Sequence, residues 1–587
     1  MLKKMADNQI IFTNKARCRD CYRCLRYCPV NAIKIREGQA FVEVERCILC
    51  GTCLKECPQN AKQFRRDLEK AKQLITANEK VAVSIAPSFP AIFEDWQIKR
   101  LPSVLRQLGF NYISETAEAA FFVANETKEY FSGIGKTFCL SSACPSYVTY
   151  VEKYKPEQVK NLIPVVSPMI AHARRLKQKL GEDWKVVFIG PCLAKKAEAE
   201  RKEFRGLVDV VLTFTELLEW IEEEKIDIRL FEASDFDEKV NGEARLFALT
   251  GGMTKTALME TDNLNQSVHA VSGFSEITDS MNSFAGTTSH ILLEPLMCSS
   301  GCVNGPGLPK SPNIYTRKES VINYSLNSAI EDTDSKVISI SLSTSFDYNA
   351  AFKVQDFQDE EIRQILERTG KQFKEDQLNC GACGYPSCIE NAKAILSGMV
   401  DIESCIPYMR RLAEQRTDKI IETSPNGIVI LNKELEILHM NPAFSKFFMC
   451  TNSVIGKRIS YLMDPEPFIK LKESEIDQIE ETVHHQNYDI SCHQILYKLR
   501  EDEQYIGIFV DITKNVSDVE KLDSLRKKTI QQARELLDHQ VEMAQQLAKL
   551  LGENTAKGEV LVENLLELTQ DKQKKNKNWL RDTYTTK

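Results

Sequence analysis

The sequence predicts a multidomain protein of the α/β class, and three observations carry that prediction. Its 587 residues suffice for three to five domains that each bury a core. Short apolar runs (VAVSIAP, KVVFIGPC, LFALT and, further on, ISISL) alternate with helical stretches such as LPSVLRQLGF and MIAHARRLKQKL, the rhythm of βα units around a parallel sheet. Most of the 19 cysteines fall in short clustered runs, which in a large chain points to metal rather than to disulfides.

Composition removes several functions. A net charge of −7 with no long basic run argues against nucleic acid or an anionic membrane as a partner. No stretch of about 18 apolar residues is present to span a bilayer. The N-terminus, MLKKMADNQIIF, has lysines but neither the apolar core nor the cleavage site of a signal peptide, so a cytoplasmic protein is expected.

The first run is Cys18-x2-Cys21-x2-Cys24-x3-Cys28-Pro29, repeated as Cys47-x2-Cys50-x2-Cys53-x3-Cys57-Pro58. Tight CxxC turns set thiolates on one side of a loop, which suits a cubane. The spacing resembles that of two-cluster bacterial ferredoxins, in which the fourth cysteine of each run crosses to the other cluster. The resemblance assigns Cys18, Cys21, Cys24 and Cys57 to one [4Fe-4S] cluster, and Cys47, Cys50, Cys53 and Cys28 to another. Two four-thiolate zinc sites are the alternative. Between the runs, AIKIREGQAFVEVE alternates as a hairpin with Glu37-Gly38 at its turn. This head occupies residues 1–72.

Residues 73–320 carry three further segments: SSACPSYV with Cys144 and Pro145, GPCLAKKAE with Pro191, Cys192, Lys195 and Glu198, and EPLMCSSGCVNGPG with Glu294, Cys298, Gly301 and Cys302. Together, and in this order, they resemble the active-site signatures of [FeFe]-hydrogenases. That resemblance implies a two-lobed α/β domain holding an H-cluster: a [4Fe-4S] cube on Cys144, Cys192, Cys298 and Cys302, with the last bridging to a two-iron subsite bearing CO and cyanide. Lys195 matches the lysine that contacts a cyanide. Ala143, Pro145, Ser167, Pro191 and Gly301 fall at cofactor-binding positions. Four soft thiolates suit iron, an ammonium suits anionic ligands, and the glycines after Cys302 suit close backbone approach to a cluster. An ordinary electron-transfer cube without the two-iron subsite fits the same cysteines.

The departures from that family are as informative. Catalytic members carry a proton-relaying cysteine just before the first ligand; here it is Ala143, which cannot act as an acid or base. Methionines expected two residues before the second and third ligands are Gly190 and Leu296, the first segment's tryptophan is Tyr147, and a glutamine after Ser-Pro is Met169. Glu126 and Glu129, three apart, read either as outer carboxylates of the proton route or as two solvated helix acids.

Residues 321–411 comprise a linker and a third cysteine pattern, Cys380-x2-Cys383-x4-Cys388-x16-Cys405. It resembles the small [4Fe-4S] domain of corrinoid iron–sulfur proteins, with IENAKAILSG as a helix and structural zinc as the alternative. Sixteen of the 19 cysteines thus read as ligands; Cys139, Cys450 and Cys492 read as buried small hydrophobes.

After the charged helix RRLAEQRTDK, residues 412–515 (IIETSPNGIVILNKELEILHMNPAFSKFF, then YDISCHQILYKL and YIGIFVDIT) resemble a PAS domain. His439, His484, His485 and His493 read as ordinary surface or core residues. Residues 516–587 read as a helical tail: from about 514 to 551, leucines, valines and alanines spaced three or four apart predict an amphipathic helix, which either pairs as a dimeric coiled coil or packs on its own chain, and after a break at Gly552 and Gly558 LVENLLELTQ reads as a last short helix before a basic end. No output enzyme signature follows, so a signal would pass to a partner, a kinase or phosphatase. Ferredoxin or another redox protein is the expected electron partner. Ala143 and the PAS segment favour a sensor of hydrogen or redox state, with a ferredoxin-dependent hydrogenase of low activity and a pure electron-transfer protein as alternatives.

Overall fold

The structure, a computed structural model, describes residues 9–513 apart from 79, 134, 136–137, 241, 260–266, 285, 287–288, 328–339, 350–355 and 500–502, together with 531 and 532. The chain forms two compact units, Met1–Asp401 and Ile402–Lys587. The predicted C-terminal helix lies outside the described residues, 531 and 532 excepted. Among the described residues no helix is long and apolar enough to cross a membrane.

In the first unit, β1 (Ile11–Thr13) pairs antiparallel with β4 (Lys62–Phe64), and β2 (Ile33–Arg36) with β3 (Gln39–Val42). The β2–β3 turn falls at Glu37 and Gly38, both at positive φ (50° and 67°), as a two-residue hairpin requires. Leu25, Ile33 and Ile35 make the small core beneath it.

The central region is built on two parallel sheets. One runs in the order β6 (Tyr112–Glu115), β5 (Val81–Ile85), β8 (Lys185–Gly190) and β9 (Val210–Thr213). The other runs β10 (Val268–Ser272), β11 (Ile291–Leu296) and β7 (Phe138–Leu140). VAVSI and ILLEPL are buried along their whole length, as parallel strands covered on both faces must be. Leu101–Gln107 and Pro168–Leu180 are the helices expected there.

Two predicted strands are not strands. LFALT begins inside a 3₁₀ helix, Gly242–Ala248, and a Cβ at the following Gly252 would lie 1.8 Å from Leu246 O, so the chain turns too tightly to extend. In ISISL, residues 338 and 339 lie outside the described residues; Leu342 O accepts from Val166 N at 2.8 Å, and an isolated bridge from Val165 to Ser343 follows just beyond the run. A short apolar run does not itself distinguish strand from helix or from an extended tether.

The segment from 356 to 401 carries helices Asp359–Arg368 and Cys388–Leu396 around Ile362, Leu366 and Ala392. It packs on the N-terminal head rather than standing apart as a linker domain. Tyr385, Ala394, Met399 and Val400 share a core with Leu25, Ile33 and Ile35, and Ile35 N donates to Met399 O at 2.7 Å.

The second unit opens with the helix Ile406–Thr423, for which Cys405 is the N-cap residue. A five-stranded antiparallel sheet follows in the order β13 (Ile437–Met440), β12 (Gly427–Leu431), β16 (Gln504–Asp511), β15 (Ile490–Leu499) and β14 (Gln478–His485). Phe444, Phe448, Phe468 and Phe509 fill its core. Fully buried Asn441 accepts from Ile428 N (2.8 Å) and Phe444 N (2.9 Å), and donates to Ile421 O (2.9 Å) and Asn426 O (2.8 Å). One side chain thereby ties the helix to the sheet.

Candidate metal centre

Three of the four central cysteines follow the carboxyl ends of parallel strands, where α/β folds form their crevices. Cys192 comes two residues after β8, Cys298 two after β11, and Cys144 N-caps Pro145–Tyr154 just beyond β7. The four thiols, Cys302 included, line one apolar cavity of about 90 Å³. Ala143, Pro145, Pro191 and Lys195 line it too. Burial and neighbouring thiolates push Cys192 up to about 12 and hold Cys298 far above the free-thiol range. Four crowded, buried sulfurs are a poor site for free thiolates and a good one for a cationic cluster that takes their charge.

Beyond the sulfurs, the lining offers four polar side chains, Ser88, Thr116, Ser146 and Lys195. Lys195 Nζ donates to Ser167 Oγ and to Glu198 Oε2, both at 2.7 Å, which fixes the ammonium in place. Ser88, in the turn after β5, lines the cavity with a buried Oγ that has no hydrogen-bond partner among the described residues. An orphaned hydroxyl and an ammonium over a largely apolar pocket fit a group with anionic diatomic ligands. Ser88 was not singled out from the sequence; its signal was its place at the end of VAVSIAPS.

Other predicted residues sit differently. Ser167 contributes by holding Lys195. Gly301 does not line the cavity: a Cβ there would lie 2.7 Å from Ala248 O. A Cβ at Gly305 would lie 2.5 Å from Pro191 O, and one at Gly307 2.9 Å from the Thr213 side chain. These glycines are required by strand-end loops packing on one another, so close approach to a cluster is not what explains Gly301 or Gly307. At Gly190 the Phe188 ring, 2.6 Å from a built Cβ, takes the space a methionine would need. Glu126 and Glu129 are exposed on Ala117–Gly133 and are not part of the cavity lining.

In the head, Cys24 lies within electrostatic reach of Cys18, Cys21 and Cys57, and Cys53 within reach of Cys28, Cys47 and Cys50. Those are the two crossed quartets. Backbone N–H groups of Ala32, Leu49 and Ala61 donate to Cys28, Cys47 and Cys57 Sγ at 3.1, 3.4 and 3.2 Å, the bonds that tune cluster thiolates. The second quartet abuts the central cavity, which Leu49 and Cys50 help to line. Ser146 Oγ donates to Ile48 O at 2.8 Å, and Tyr154 OH to Arg46 O at 2.7 Å. Cys383 joins the core beneath the head, and a Cβ at Gly384 would lie 3.2 Å from Arg26 N. Cys380 is exposed and Cys388 buried in the first unit; Cys405 is buried in the second.

The family model described as "Iron only hydrogenase large subunit, C-terminal domain" matches residues 79–306. The central domain is hydrogenase-like. A 4Fe-4S dicluster domain matches residues 17–61, an Fe-S cluster domain 376–407 and a PAS domain 415–481. Iron hydrogenase 1 of Clostridium pasteurianum is 28% identical over 300 residues, covering 41% of this chain and 52% of that protein. The periplasmic [Fe] hydrogenase large subunit of Nitratidesulfovibrio vulgaris is 27% identical over 366 residues, covering 51% of this chain and 86% of the other. A cytosolic Fe-S cluster assembly factor of Danio rerio is 24% identical over 328 residues, covering 43% and 78%. The match to this chain thus spans about half of the clostridial protein.

Proposed function

We propose that this iron–sulfur, hydrogenase-like protein senses hydrogen or redox state and passes the signal through its PAS domain to a partner. Ala143 carries the reading: a methyl group lines the cavity where the resemblance places a proton-relaying thiol. Losing a positioned proton donor slows proton transfer by about 10²–10⁴-fold. A site that binds hydrogen but turns it over slowly suits detection.

Cys144, Cys192, Cys298 and Cys302 would hold the cube, and Ser88 and Lys195, which line the same cavity, would offer hydrogen bonds to a two-iron subsite. That subsite, when bound, supplies the metal at which hydrogen is cleaved. The chain's own residues anchor it, keep water out with Phe188, Met169 and Phe247, and hold the ammonium still through Ser167 and Glu198. The head stands between the cavity and the 380–388 loop, so electrons reach both through its two clusters. Cys405, read as a ligand of a further [4Fe-4S] cluster, begins the helix that Asn441 ties to the PAS sheet. At about 1.5 Å per residue, those 18 residues make a rod about 27 Å long.

The test is to load the full chain with a synthetic two-iron cofactor and record infrared bands of CO and cyanide, then hydrogen turnover, for wild type and Ala143→Cys. Bands, slow turnover and a marked gain with the added thiol support a sensor. Fast wild-type turnover unimproved by cysteine supports a ferredoxin-linked enzyme instead. Likeness to a cluster assembly factor favours a second reading, a scaffold without the two-iron subsite. No CO or cyanide bands after loading would support it.

A further inference from the structure

A buried line of hydroxyls interrupted by one imidazole leads out of the cavity. Thr116, at the end of β6, lines the cavity, and its Oγ1 lies 2.7 Å from Ser84 Oγ on β5. Ser84 Oγ lies 2.7 Å from His172 Nδ1, and His172 Nε2 lies 3.0 Å from Ser114 Oγ. Ser114 donates to Glu238 Oε2 at 2.7 Å, an oxygen also 3.6 Å from His172 Nε2. Lys179, whose side chain is 47% exposed, donates to Glu238 Oε1 and to Tyr112 OH, both at 2.7 Å. Each step is hydrogen-bonded, and the line ends at solvent.

The sheet does not need these groups. Ser84 and Ser114 face each other in register on parallel strands, Ser84 between Val83 and Ile85 and Ser114 after Ile113, all of them buried. His172 is fully buried on a helix face with Ile170, Ala173 and Leu176. Burying polar groups there costs stability unless each is bonded, and these are bonded to one another in a line. A hydroxyl both donates and accepts, and an imidazole can take a proton at one nitrogen while releasing one from the other.

Glu118, His172 and Glu238 also place one ligand atom each within 4.8 Å of the others. A metal ion is the weaker reading, because both carboxyl groups already have cationic partners: Arg175 lies against Glu118, and Lys179 against Glu238. Both histidine nitrogens are also taken by serine hydroxyls. Burial opposes the Glu238 charge, but hydrogen bonds involving His172, Lys179 and Ser114 outweigh it and hold the carboxylate well below its usual range.

We propose that Thr116, Ser84, His172 and Ser114 form a proton relay between the cavity and the surface at Glu238 and Lys179, by a route that bypasses Ala143. A proton entering at Thr116 passes through Ser84 to Nδ1 of His172. The Nε2 proton leaves through Ser114 to Glu238 and water, so no charge accumulates along the line. This rests on the cavity being a hydrogen-responsive site, since only there does a proton need an exit.

The full-length protein carrying its cubes but no two-iron subsite is titrated by pH jumps between about pH 6 and 9 at a fixed potential, with the central cube followed by electron paramagnetic resonance. Its return to equilibrium should be about 10²–10⁴-fold slower in His172→Gln and Ser84→Ala than in wild type. In protein loaded with the two-iron cofactor, the rate at which hydrogen shifts the infrared bands should drop about 10²–10⁴-fold in both variants and stay unchanged in Glu126→Gln/Glu129→Gln. Both variants showing rates within twofold of wild type in the two experiments would overturn the relay, as would an effect of His172→Gln that Ser84→Ala does not share. If His172→Gln fails to assemble its clusters, Ser84→Ala decides alone. Stoichiometric Mn²⁺ binding lost in Glu118→Gln would overturn it in favour of a metal site. Absence of CO bands in the loaded sample would count against the sensing function, and the titration of the unloaded protein would still decide the relay.

Discussion

Gly51 packs against Pro306 where the head meets the central domain, and Gly51→Ala measures what that contact is worth. Gly51 has a φ of 74°, and a Cβ there would lie 2.4 Å from Pro306 Cβ and 2.5 Å from Pro306 Cγ. An alanine held at that φ costs about 1–2 kcal/mol. Ordinary carbon contacts lie at about 3.5–4.0 Å, so relief requires the loops bearing Cys50 and Cys302 to part by roughly 1.1–1.6 Å. Overpacking of this kind costs about 1–3 kcal/mol. The φ cost is present whether or not the head is docked, so only the overpacking of about 1–3 kcal/mol weakens docking, by roughly 5-fold to 150-fold. Gly206→Ala is the control, because Gly206 has a φ of 87° but nothing within 4 Å of a built Cβ. The assay is electron paramagnetic resonance of the reduced protein, reading the magnetic interaction between the Cys50 cluster and the central cube, with iron content measured alongside. Gly51→Ala should weaken the interaction while iron per chain stays at the wild-type value. An interaction equal to that of Gly206→Ala and wild type would refute the reasoning.

Ser88→Ala should leave the cubes intact but remove one hydrogen bond to the two-iron subsite, worth about 0.5–1.5 kcal/mol; shifted cyanide bands or loading weaker by up to about tenfold would show it, and identical spectra would not. Asn441→Ala removes a fully buried cap and strands its backbone partners, at a cost of about 2–4 kcal/mol. Denaturant unfolding followed in the PAS domain should register that loss, and Asn441→Asp should recover only the accepting half of its bonds. Glu118 is pushed from 4.5 up to about 8 by burial and by Glu238, with Arg175 opposing. The folded state then holds a proton that the unfolded chain releases, so this group's contribution is full below about pH 4.5 and is lost as pH rises toward about 8. Glu118→Gln should flatten that decline in a melting series from pH 5 to 8, and an unchanged slope would exclude Glu118 as its source.

Local chemistry was legible wherever a few neighbouring residues suffice. The two CxxCxxCxxxCP runs gather their thiols into two groups, Cys24 near Cys18, Cys21 and Cys57, and Cys53 near Cys28, Cys47 and Cys50; tight turns intrinsic to the spacing collect the first three of each run. Glu37-Gly38 turns the hairpin, and VAVSI and KVVFI extend as buried strands. Residues whose role depends on distant chain were harder to read. LFALT found no neighbouring strand, and ISISL became a tether. Gly301 and Gly307 answer to Ala248 and Thr213 rather than to a cluster.

The sequence by itself determined that this is an iron–sulfur protein with a hydrogenase-like core and a PAS segment, because ligand type and spacing are properties of short stretches. It also put an alanine, Ala143, where the resemblance expects a proton-relaying cysteine, and a methyl group cannot ionise in any fold. Only the tertiary structure decided that the 356–401 segment rests on the head rather than on the path its place in the chain suggested. It alone brought Ser88 to the cavity and aligned Thr116, Ser84, His172 and Ser114. The physical reason is the parallel sheet: its register sets side by side residues such as Ser84 and Ser114, 30 positions apart in the chain, and no local pattern records which strand will be the neighbour.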